Sequence, residues 1–168
     1  MASKRTKIGL VSDTHGWLDP FLLEAFKDAD LIVHAGDIGS MDVIDQLETV
    51  APVSVVRGNI DGGDLRFFPL ERVDEVGGKR IAVLHIAGNA KRPNKTALDF
   101  IRREAPDVIV VGHSHIPVVG RVEGCLWINP GAAGKSGFHD LRFAAILWVE
   151  PDGVISMDRV FLGGRTNS

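Results

Sequence analysis

Runs of consecutive apolar residues, separated by short polar stretches, recur through the first two thirds of the chain. Such uninterrupted runs are typical of strands buried on both faces, as in a parallel sheet. Segments with apolar residues at helical spacing lie between several of them, which predicts alternating strands and helices. The pattern predicts strands at residues 7–12, 31–34, 53–56, 80–84 and 107–111, and helices at 20–27, 41–49 and about 94–104. Asn94 or Thr96 would cap the last of these helices.

The pattern changes after residue 115, where short apolar stretches are joined by tight turns. This arrangement predicts antiparallel strands at 118–122, 126–129, 143–150 and 154–162. A further extended segment at 66–76 is predicted to pair with 80–84 across the Gly77–Gly78 turn. No repeat or linker divides the chain, so we expect one domain over residues 1–168, with its core at about 7–163.

Five of the predicted strands end in residues that can bind a metal ion. Open α/β sheets place their ligands at the carboxyl ends of strands, which is where these residues lie. The candidate metal ligands are Asp13, His15, Asp37, Asn59, His85, His113 and His115. Carboxylate, amide and imidazole groups together suit divalent transition metals, so the set predicts a two-metal hydrolytic centre.

Three of these residues also have an ordinary explanation when each is taken alone. Asp13 and Asn59 are typical turn formers, and Asp37 is placed to cap the helix that follows it. Two other histidines, His34 and His139, are predicted to be structural or surface residues. The metal hypothesis therefore depends on the combination of the motifs.

The candidate ligands divide into two groups that share one carboxylate. If the first strand continues through Asp13 and His15, their side chains project to the same side. We expect one ion to be held by Asp13, His15, Asp37 and His115, and the other by Asp37, Asn59, His85 and His113. Two such cations share a water and lower its pKa, which predicts a hydroxide nucleophile and hydrolysis of phosphate esters.

The ordered motifs resemble those of the calcineurin-like metallophosphoesterases, over about residues 7–134. They are Asp13-x-His15, Gly36-Asp37, Gly58-Asn59-x-Asp61, His85 and Gly112-His113-x-His115. The short chain is similar to the compact prokaryotic phosphodiesterases of that superfamily, and also to the metallophosphoesterase-like subunit of eukaryotic retromer. The resemblance implies an α/β fold in which two β-sheets pack face to face with helices outside, in four layers α/β/β/α.

The same resemblance implies the chemistry of the site. It implies Mn²⁺ as the metal, with Ni²⁺, Co²⁺ or Zn²⁺ as alternatives. It implies catalytic roles for Asp37, Asn59 and His85, and contacts of Arg57, Asn59 and Asp61 with the substrate.

Two positions depart from the family pattern. The family often has His-Gly-His where this chain has His85-Ile86-Ala87, so the second histidine is missing. Ile60 stands where the protein phosphatases of the superfamily have a histidine that is a candidate general acid. Diesters and activated leaving groups need less help from an acid, which favours a phosphodiesterase.

A phosphomonoesterase and a non-catalytic protein-binding scaffold remain alternatives, although a scaffold would be expected to lose at least one of the seven ligands.

Composition and charge limit the remaining functions. A net charge of −3 gives no field for holding nucleic acid, so we expect a small phosphodiester or phosphomonoester as the partner. The chain has no apolar stretch long enough for a signal peptide or a membrane span, and its one cysteine, Cys125, is predicted to be buried, so we expect a cytoplasmic location.

The phosphate-loop-like segment 129–136 starts with Asn129 instead of glycine and precedes a predicted strand, which argues against nucleotide hydrolysis. The sequence does not decide between a monomer and a homo-oligomer, because Trp17, Phe67, Phe68 and Trp127 fit either an interface or a core.

Overall fold

The computed structural model describes residues 4–165, in which ten strands and three α-helices form. The strands are β1 (Thr6–Val11), β2 (Leu31–His34), β3 (Val53–Val55), β4 (Glu71–Val76), β5 (Lys79–Leu84), β6 (Val108–Val111), β7 (Val118–Val122), β8 (Cys125–Asn129), β9 (Leu141–Val149) and β10 (Ile155–Gly164). The helices are α1 (Phe21–Ala25), α2 (Met41–Glu48) and α3 (Lys95–Glu104), and a 3₁₀ turn covers Gly63–Phe67. Within residues 4–165, no helix has the length and apolar character needed to cross a membrane.

The strands form two five-stranded mixed sheets. The first sheet has the order β10-β9-β1-β2-β3, and the second has the order β4-β5-β6-β8-β7. Strands β1, β2 and β3 run parallel in the first sheet, and β5, β6 and β8 run parallel in the second. The remaining neighbours pair antiparallel, so each sheet has a parallel centre with antiparallel strands added at its edges.

Three apolar clusters show how the layers stack. The central cluster lies between the sheets and includes Ile8 and Leu10 of β1 with Ile81 and Val83 of β5. A second cluster packs α1 and α2 against the outer face of the first sheet, and a third packs α3 against the outer face of the second. Both faces of the central strands are therefore buried, which explains their uninterrupted apolar runs. The predicted order of layers, α/β/β/α, is confirmed.

The cap of α3 illustrates how local sequence sets an element boundary. Asn94 has an extended backbone, and its side-chain oxygen accepts a hydrogen bond from the backbone N–H of Ala97 at 2.8 Å. This contact satisfies one of the N–H groups that the first turn leaves free. Of the two predicted caps, Asn94 is the one that forms.

Two sequence predictions of strands are wrong. Residues 66–76 do not form one strand, because Pro69 cannot donate to a ladder and β4 begins only at Glu71. The segment before it coils into the 3₁₀ turn, which buries Leu65 in the cluster beneath α1 and α2. The strands after residue 115 are also not all antiparallel, since β8 pairs parallel with β6. Nearly all of β8 is buried, so it lies inside the sheet between β6 and β7.

Candidate metal centre

All seven predicted ligands lie together at one end of the sandwich. They follow the carboxyl ends of β1, β2, β3, β5 and β6, the strands at the parallel centres of the two sheets. Each sheet contributes part of the site, so the site forms only when the two sheets pack against each other. A pocket of about 200 Å³ opens over it, lined by His15, Asp37, Asn59, His113 and His115 among others.

The first group of metal-binding side chains consists of Asp13, His15 and His115, whose donor atoms all lie within 4.8 Å of one another. Asp13 Oδ1 is 3.1 Å from His115 Nε2 and 3.8 Å from His15 Nε2. Among the residues that the structure describes, Asp13 Oδ1 and His15 Nε2 are the buried side-chain atoms without a hydrogen-bond partner. Buried polar atoms normally have partners, so these two atoms fit the positions of metal ligands.

The second group consists of Asp37, His85 and His113, again with donor atoms within 4.8 Å of one another. His85 Nε2 lies 3.2 Å from Asp37 Oδ1 and 3.0 Å from the side-chain oxygen of Asn59. The same Asn59 oxygen is 3.1 Å from His113 Nδ1. Asn59 therefore adds a neutral oxygen to this group without adding charge.

Asp37 lies between the two groups. Its Oδ2 is 3.5 Å from His15 Nε2 of the first group, whereas its Oδ1 is 3.2 Å from His85 Nε2 of the second. The backbone N–H of Ile60 donates to Oδ1 at 3.1 Å, which holds the carboxylate in this orientation. Each oxygen thus faces a different group, as the predicted bridging role requires.

A contact with the backbone determines which nitrogen of His85 faces the site. His85 Nδ1 is 2.7 Å from the carbonyl oxygen of Ala35, which can only accept a hydrogen bond. The single proton of a neutral His85 ring therefore lies on Nδ1, and Nε2 presents a lone pair to the oxygens of Asp37 and Asn59. Three lone pairs converge on one point, an arrangement that a cation satisfies.

A chain of two hydrogen bonds likewise determines which nitrogen of His115 faces the site. His139 Nε2 lies 2.8 Å from the carbonyl oxygen of Gly134, and His139 Nδ1 lies 3.0 Å from His115 Nδ1. The carbonyl needs a proton on His139 Nε2, so Nδ1 of neutral His139 accepts a hydrogen bond from His115 Nδ1–H. His115 Nε2 is then free of a proton and faces Asp13.

The role of His139 was missed by sequence reasoning, which treated it as a structural or surface residue. It is buried, and it contacts a predicted ligand. Its only sequence signal is its position after the glycine-rich segment that follows β8. His34, by contrast, has the structural role expected of it. Its ring is buried between the hydroxyl of Thr14 and the backbone N–H of Gly36, and burial lowers its pKa to about 4.

The backbone around the ligands has left-handed dihedral angles, not those of a continued strand. Strand β1 ends at Val11, and φ is 54° at Asp13 and 49° at His15. Asp37, His113 and His115 also have positive φ angles, of 55°, 71° and 64°. The expectation that β1 continues through Asp13 and His15 is therefore wrong. Left-handed residues other than glycine are strained and are concentrated at functional sites.

Close approach of the ligand loops depends on three glycines. A Cβ atom at Gly36 would lie 2.7 Å from the His85 ring, and one at Gly58 would lie 2.1 Å from Asp37 Oδ1. At Gly112 it would lie 2.3 Å from Ser12 Oγ and 2.8 Å from Asp13 Oδ2. A side chain at any of these positions would push a ligand away. This explains why glycine directly precedes Asp37, Asn59 and His113 in the sequence.

Two buried carboxylates, those of Asp13 and Asp37, give the site negative charge. Burial opposes ionisation of Asp13, but a proton on the imidazole of His115 or His15, in the place that a cation would take, holds the pKa of its carboxyl well below the ordinary value. Burial also opposes ionisation of Asp37, but a proton on the His85 ring, again in the place that a cation would take, lowers the pKa of that carboxyl. Contact with Asp13 in turn raises the pKa of His15. Both carboxylates are therefore anionic at neutral pH and attract cations.

Two of the residues predicted to contact the substrate, Asp61 and Arg57, make different contacts in the structure. Asp61 is buried, and its oxygens accept hydrogen bonds from the backbone N–H groups of Ile38, Gly39 and Gly58. Its carboxylate ties the loop after β2 to the loop after β3, so we now assign it a positioning role instead of a substrate contact. Arg57 is half-buried beside Asn59, where its guanidinium donates to the carbonyl of Arg66 at 2.7 Å.

Comparison with known proteins identifies the family. Residues 6–152 match the model of a calcineurin-like phosphoesterase superfamily domain. A probable metallophosphoesterase of Methanothermobacter thermautotrophicus is 35% identical over 132 residues, which cover 74% of this chain and 76% of that protein. The phosphodiesterase MJ0936 of Methanocaldococcus jannaschii is 29% identical over 139 residues, covering 74% of this chain and 82% of that protein.

Solved structures have the same fold at lower sequence identity. Vacuolar Protein Sorting 29 of Cryptosporidium parvum covers 96% of this chain and 100% of its own, with a TM-score of 0.75 and 19% identity. A novel archaeal phosphodiesterase covers 94% and 100%, with a TM-score of 0.71 and 23% identity. Vps29 of Entamoeba histolytica complexed with Zn²⁺ covers 93% and 99%, with a TM-score of 0.68 and 19% identity. The family model and the curated relatives together show that this chain belongs to the calcineurin-like phosphoesterase superfamily.

Proposed function

We propose that this chain is a phosphodiesterase that uses two divalent metal ions, with Mn²⁺ as the physiological metal. The observation that carries the proposal is the pair of ligand groups with Asp37 between them. A phosphodiesterase relative in Methanocaldococcus jannaschii supports the reaction class. Zn²⁺, Ni²⁺ and Co²⁺ are alternatives, since the same mixture of oxygen and imidazole donors accepts them.

The donor atoms fit two ions. The first would be held by Asp13, His15, Asp37 and His115, and its fit is supported by the unpartnered Asp13 Oδ1 and His15 Nε2. The second would be held by Asp37, Asn59, His85 and His113. It is supported by the lone pairs of His85, Asp37 and Asn59 that converge on one point.

The chain's own residues would orient the substrate. When bound, the two ions supply an activated water and neutralise the phosphoryl oxygens. Asn59 is exposed at the pocket, and its oxygen faces the second group, so its amide N–H can donate to a phosphoryl oxygen. His85 is held by the Ala35 carbonyl, and Asp37 is held by the Ile60 N–H, so both enter the reaction already oriented.

The choice of a diester over a monoester depends on the missing general acid. Ile60 lies at the mouth of the pocket, at the position where the resemblance would place a proton donor, and its exposed side chain cannot donate. A strongly basic leaving group would therefore depart without a proton from this position. Esters of acidic alcohols need no such help, so we expect phosphodiesters with acidic alcohols to be hydrolysed without a donor at this position.

Substitution of the shared carboxylate tests the proposal. In the presence of Mn²⁺, the protein should hydrolyse bis(4-nitrophenyl) phosphate faster than 4-nitrophenyl phosphate, and a chelator should abolish both reactions. Asp37→Asn removes the charge at nearly constant volume and should lower kcat/KM at least about 100-fold, because it weakens both ion sites. Asp45→Asn makes the same change on the exposed face of α2 and should have no effect.

Three outcomes would contradict the proposal. Elemental analysis that finds no metal after dialysis from Mn²⁺ would remove its basis. Equal activities of the Asp37→Asn and Asp45→Asn variants would show that Asp37 is not a shared ligand. Faster hydrolysis of the monoester would identify a phosphomonoesterase with the same metal centre.

A non-catalytic scaffold is the second candidate function. It is favoured by the fold likeness to the Vps29 structures, whose sequences are 19% identical to this chain. All seven ligand positions are filled here and their side chains converge, which favours the enzyme. Tight metal binding without turnover of either nitrophenyl ester would favour the scaffold.

A further inference from the structure

A second and larger groove continues from the metal centre. Its volume is about 690 Å³, compared with about 200 Å³ for the pocket over the ligands, and the two share Asn59. His85 also lines the groove, at the end nearest the second ligand group. The groove therefore adjoins the pocket over the ligands at Asn59, and it is large enough for an organic group.

The walls of this groove are mainly apolar. Leu70, just before β4, and Ile86, just after β5, are 58% and 43% exposed, and both line the groove together with Leu84. Single exposed apolar residues are common on protein surfaces. Two large ones lining one groove beside a reactive centre are typical of a ligand site.

The charged residues along the groove are engaged elsewhere. The carboxylate of Glu71 pairs with the guanidinium of Arg103. The guanidinium of Arg57 donates to the backbone carbonyl of Arg66 at 2.7 Å. The charge of Glu71 is thus paired within the protein, whereas Arg57 keeps its positive charge, and the groove presents its leucine and isoleucine side chains beside that one cation.

The isoleucine wall is held in place before any ligand binds. Asn94 Nδ2 donates to the carbonyl of Ile86 at 3.1 Å, and the Asn94 N–H donates to the carbonyl of Ala87 at 2.9 Å. Ala87 itself is buried in the cluster under α3. A wall that is already ordered loses little conformational entropy on binding.

We propose that this groove binds an ester substituent of the substrate, and that the enzyme therefore prefers phosphodiesters carrying an aromatic or other apolar alcohol. The inference rests on the proposed function, because it places the phosphoryl group at the metal ligands. The phosphoryl group lies in the smaller pocket, and one ester group extends past Asn59 and His85 between Leu70 and Ile86. A substituent of this kind buries apolar surface that a methyl ester leaves exposed.

Binding of two phosphonates to the Mn²⁺-loaded protein tests the inference without any reaction. Phenylphosphonate and methylphosphonate carry the same anionic head group and differ only in the substituent. Isothermal titration should show phenylphosphonate binding at least about 10-fold more tightly, because only its ring is buried in the groove. In the Ile86→Ser and Leu70→Ser variants, the affinities for phenylphosphonate and methylphosphonate should become nearly equal. Each substitution replaces an apolar side chain of the groove with a hydroxyl.

The control variant is Val154→Ser. Val154 is exposed to a similar extent, at 58%, but it lies in the turn between β9 and β10 and does not line the groove. It should keep the full preference for phenylphosphonate. Equal affinities of the two phosphonates for the unmodified protein, no binding of either, or an undiminished preference in both groove variants would overturn the inference. A protein that shows the preference but hydrolyses no diester would contradict the proposed function and leave the groove assignment in place.

Discussion

Replacement of His139 by phenylalanine should weaken the binding of one metal ion without touching a ligand directly. His139 connects the Gly134 carbonyl to the Nδ1 atom of His115, over distances of 2.8 Å and 3.0 Å. Burial lowers the pKa of His139, which keeps its ring neutral and able to accept from His115. This contact keeps the proton of His115 on Nδ1 and leaves Nε2 free to bind the ion beside Asp13.

The size of the effect follows from the hydrogen bond that is lost. Phenylalanine keeps a ring of similar volume but leaves the His115 N–H in a partly buried position without an acceptor. An unsatisfied group of this kind costs about 1–3 kcal/mol. The cost falls on metal binding, because metal-free His115 can instead place its proton on Nε2, which lies beside Asp13. Since about 1.4 kcal/mol corresponds to a factor of ten, affinity at the first ion site should fall about 5- to 150-fold. Loss of an outer partner of a metal ligand typically costs about 10- to 100-fold, in agreement with this range.

Calorimetric titration of the metal-free protein with Mn²⁺ measures the effect at each site. His139→Phe should weaken one of the two binding events, while the event that involves His85 and His113 keeps its affinity. His139→Asn is the matched variant, because its side-chain oxygen can accept from His115 near the position of the original Nδ1. It should recover most of the affinity. The reasoning would be refuted by a phenylalanine variant that binds both ions normally, or by an asparagine variant that is equally weak.

Two further predictions concern residues that do not bind metal themselves. Gly58→Ala should lower the bound Mn²⁺ below two ions per chain and reduce diesterase activity at least about 100-fold, because the added Cβ would lie 2.1 Å from Asp37 Oδ1. Gly62→Ala, where no atom lies within 4 Å of the added Cβ, is its control, and normal metal content in Gly58→Ala would contradict the steric argument. Cys125 should react with a disulfide reagent at pH 8 at least about 100-fold more slowly in the folded protein than after unfolding. Burial raises the pKa of its thiol to about 11, so the reactive thiolate is scarce, and rapid labelling of the folded protein would show that the thiol is accessible.

The candidate ligands could be chosen from the sequence, because their chemistry and their position are local properties. Asp13, Asp37 and His85 each follow an apolar run of strand length, and a strand end at the centre of an α/β sheet is a ligand position in most folds of this kind. The buried faces of the strands could be predicted for the same reason, since the apolar runs record burial on both sides. The layers could be named only through the resemblance to a family, because periodicity does not determine how two sheets stack.

Contacts between residues distant in the chain were decided only by the tertiary structure. His139 lies 24 residues beyond His115, and no local pattern marks the loop path that brings the two rings together. Asp61 appeared to be a substrate contact, but three backbone N–H groups from two loops occupy its oxygens. The position of β8 inside the second sheet likewise depends on which neighbour buries it, not on its own sequence.

The backbone of the site also has some features that the sequence determines and others that only the tertiary structure decides. The sequence by itself determined which residue types meet, in which order along the chain, and that glycines precede three of them. Only the tertiary structure decided the left-handed conformations of Asp13, His15 and Asp37, which are unfavourable for an isolated chain. They persist because backbone hydrogen bonds join the loop after β1 to the loop after β2. Composition and spacing are properties of a segment, whereas lone-pair direction and strain depend on the surrounding fold.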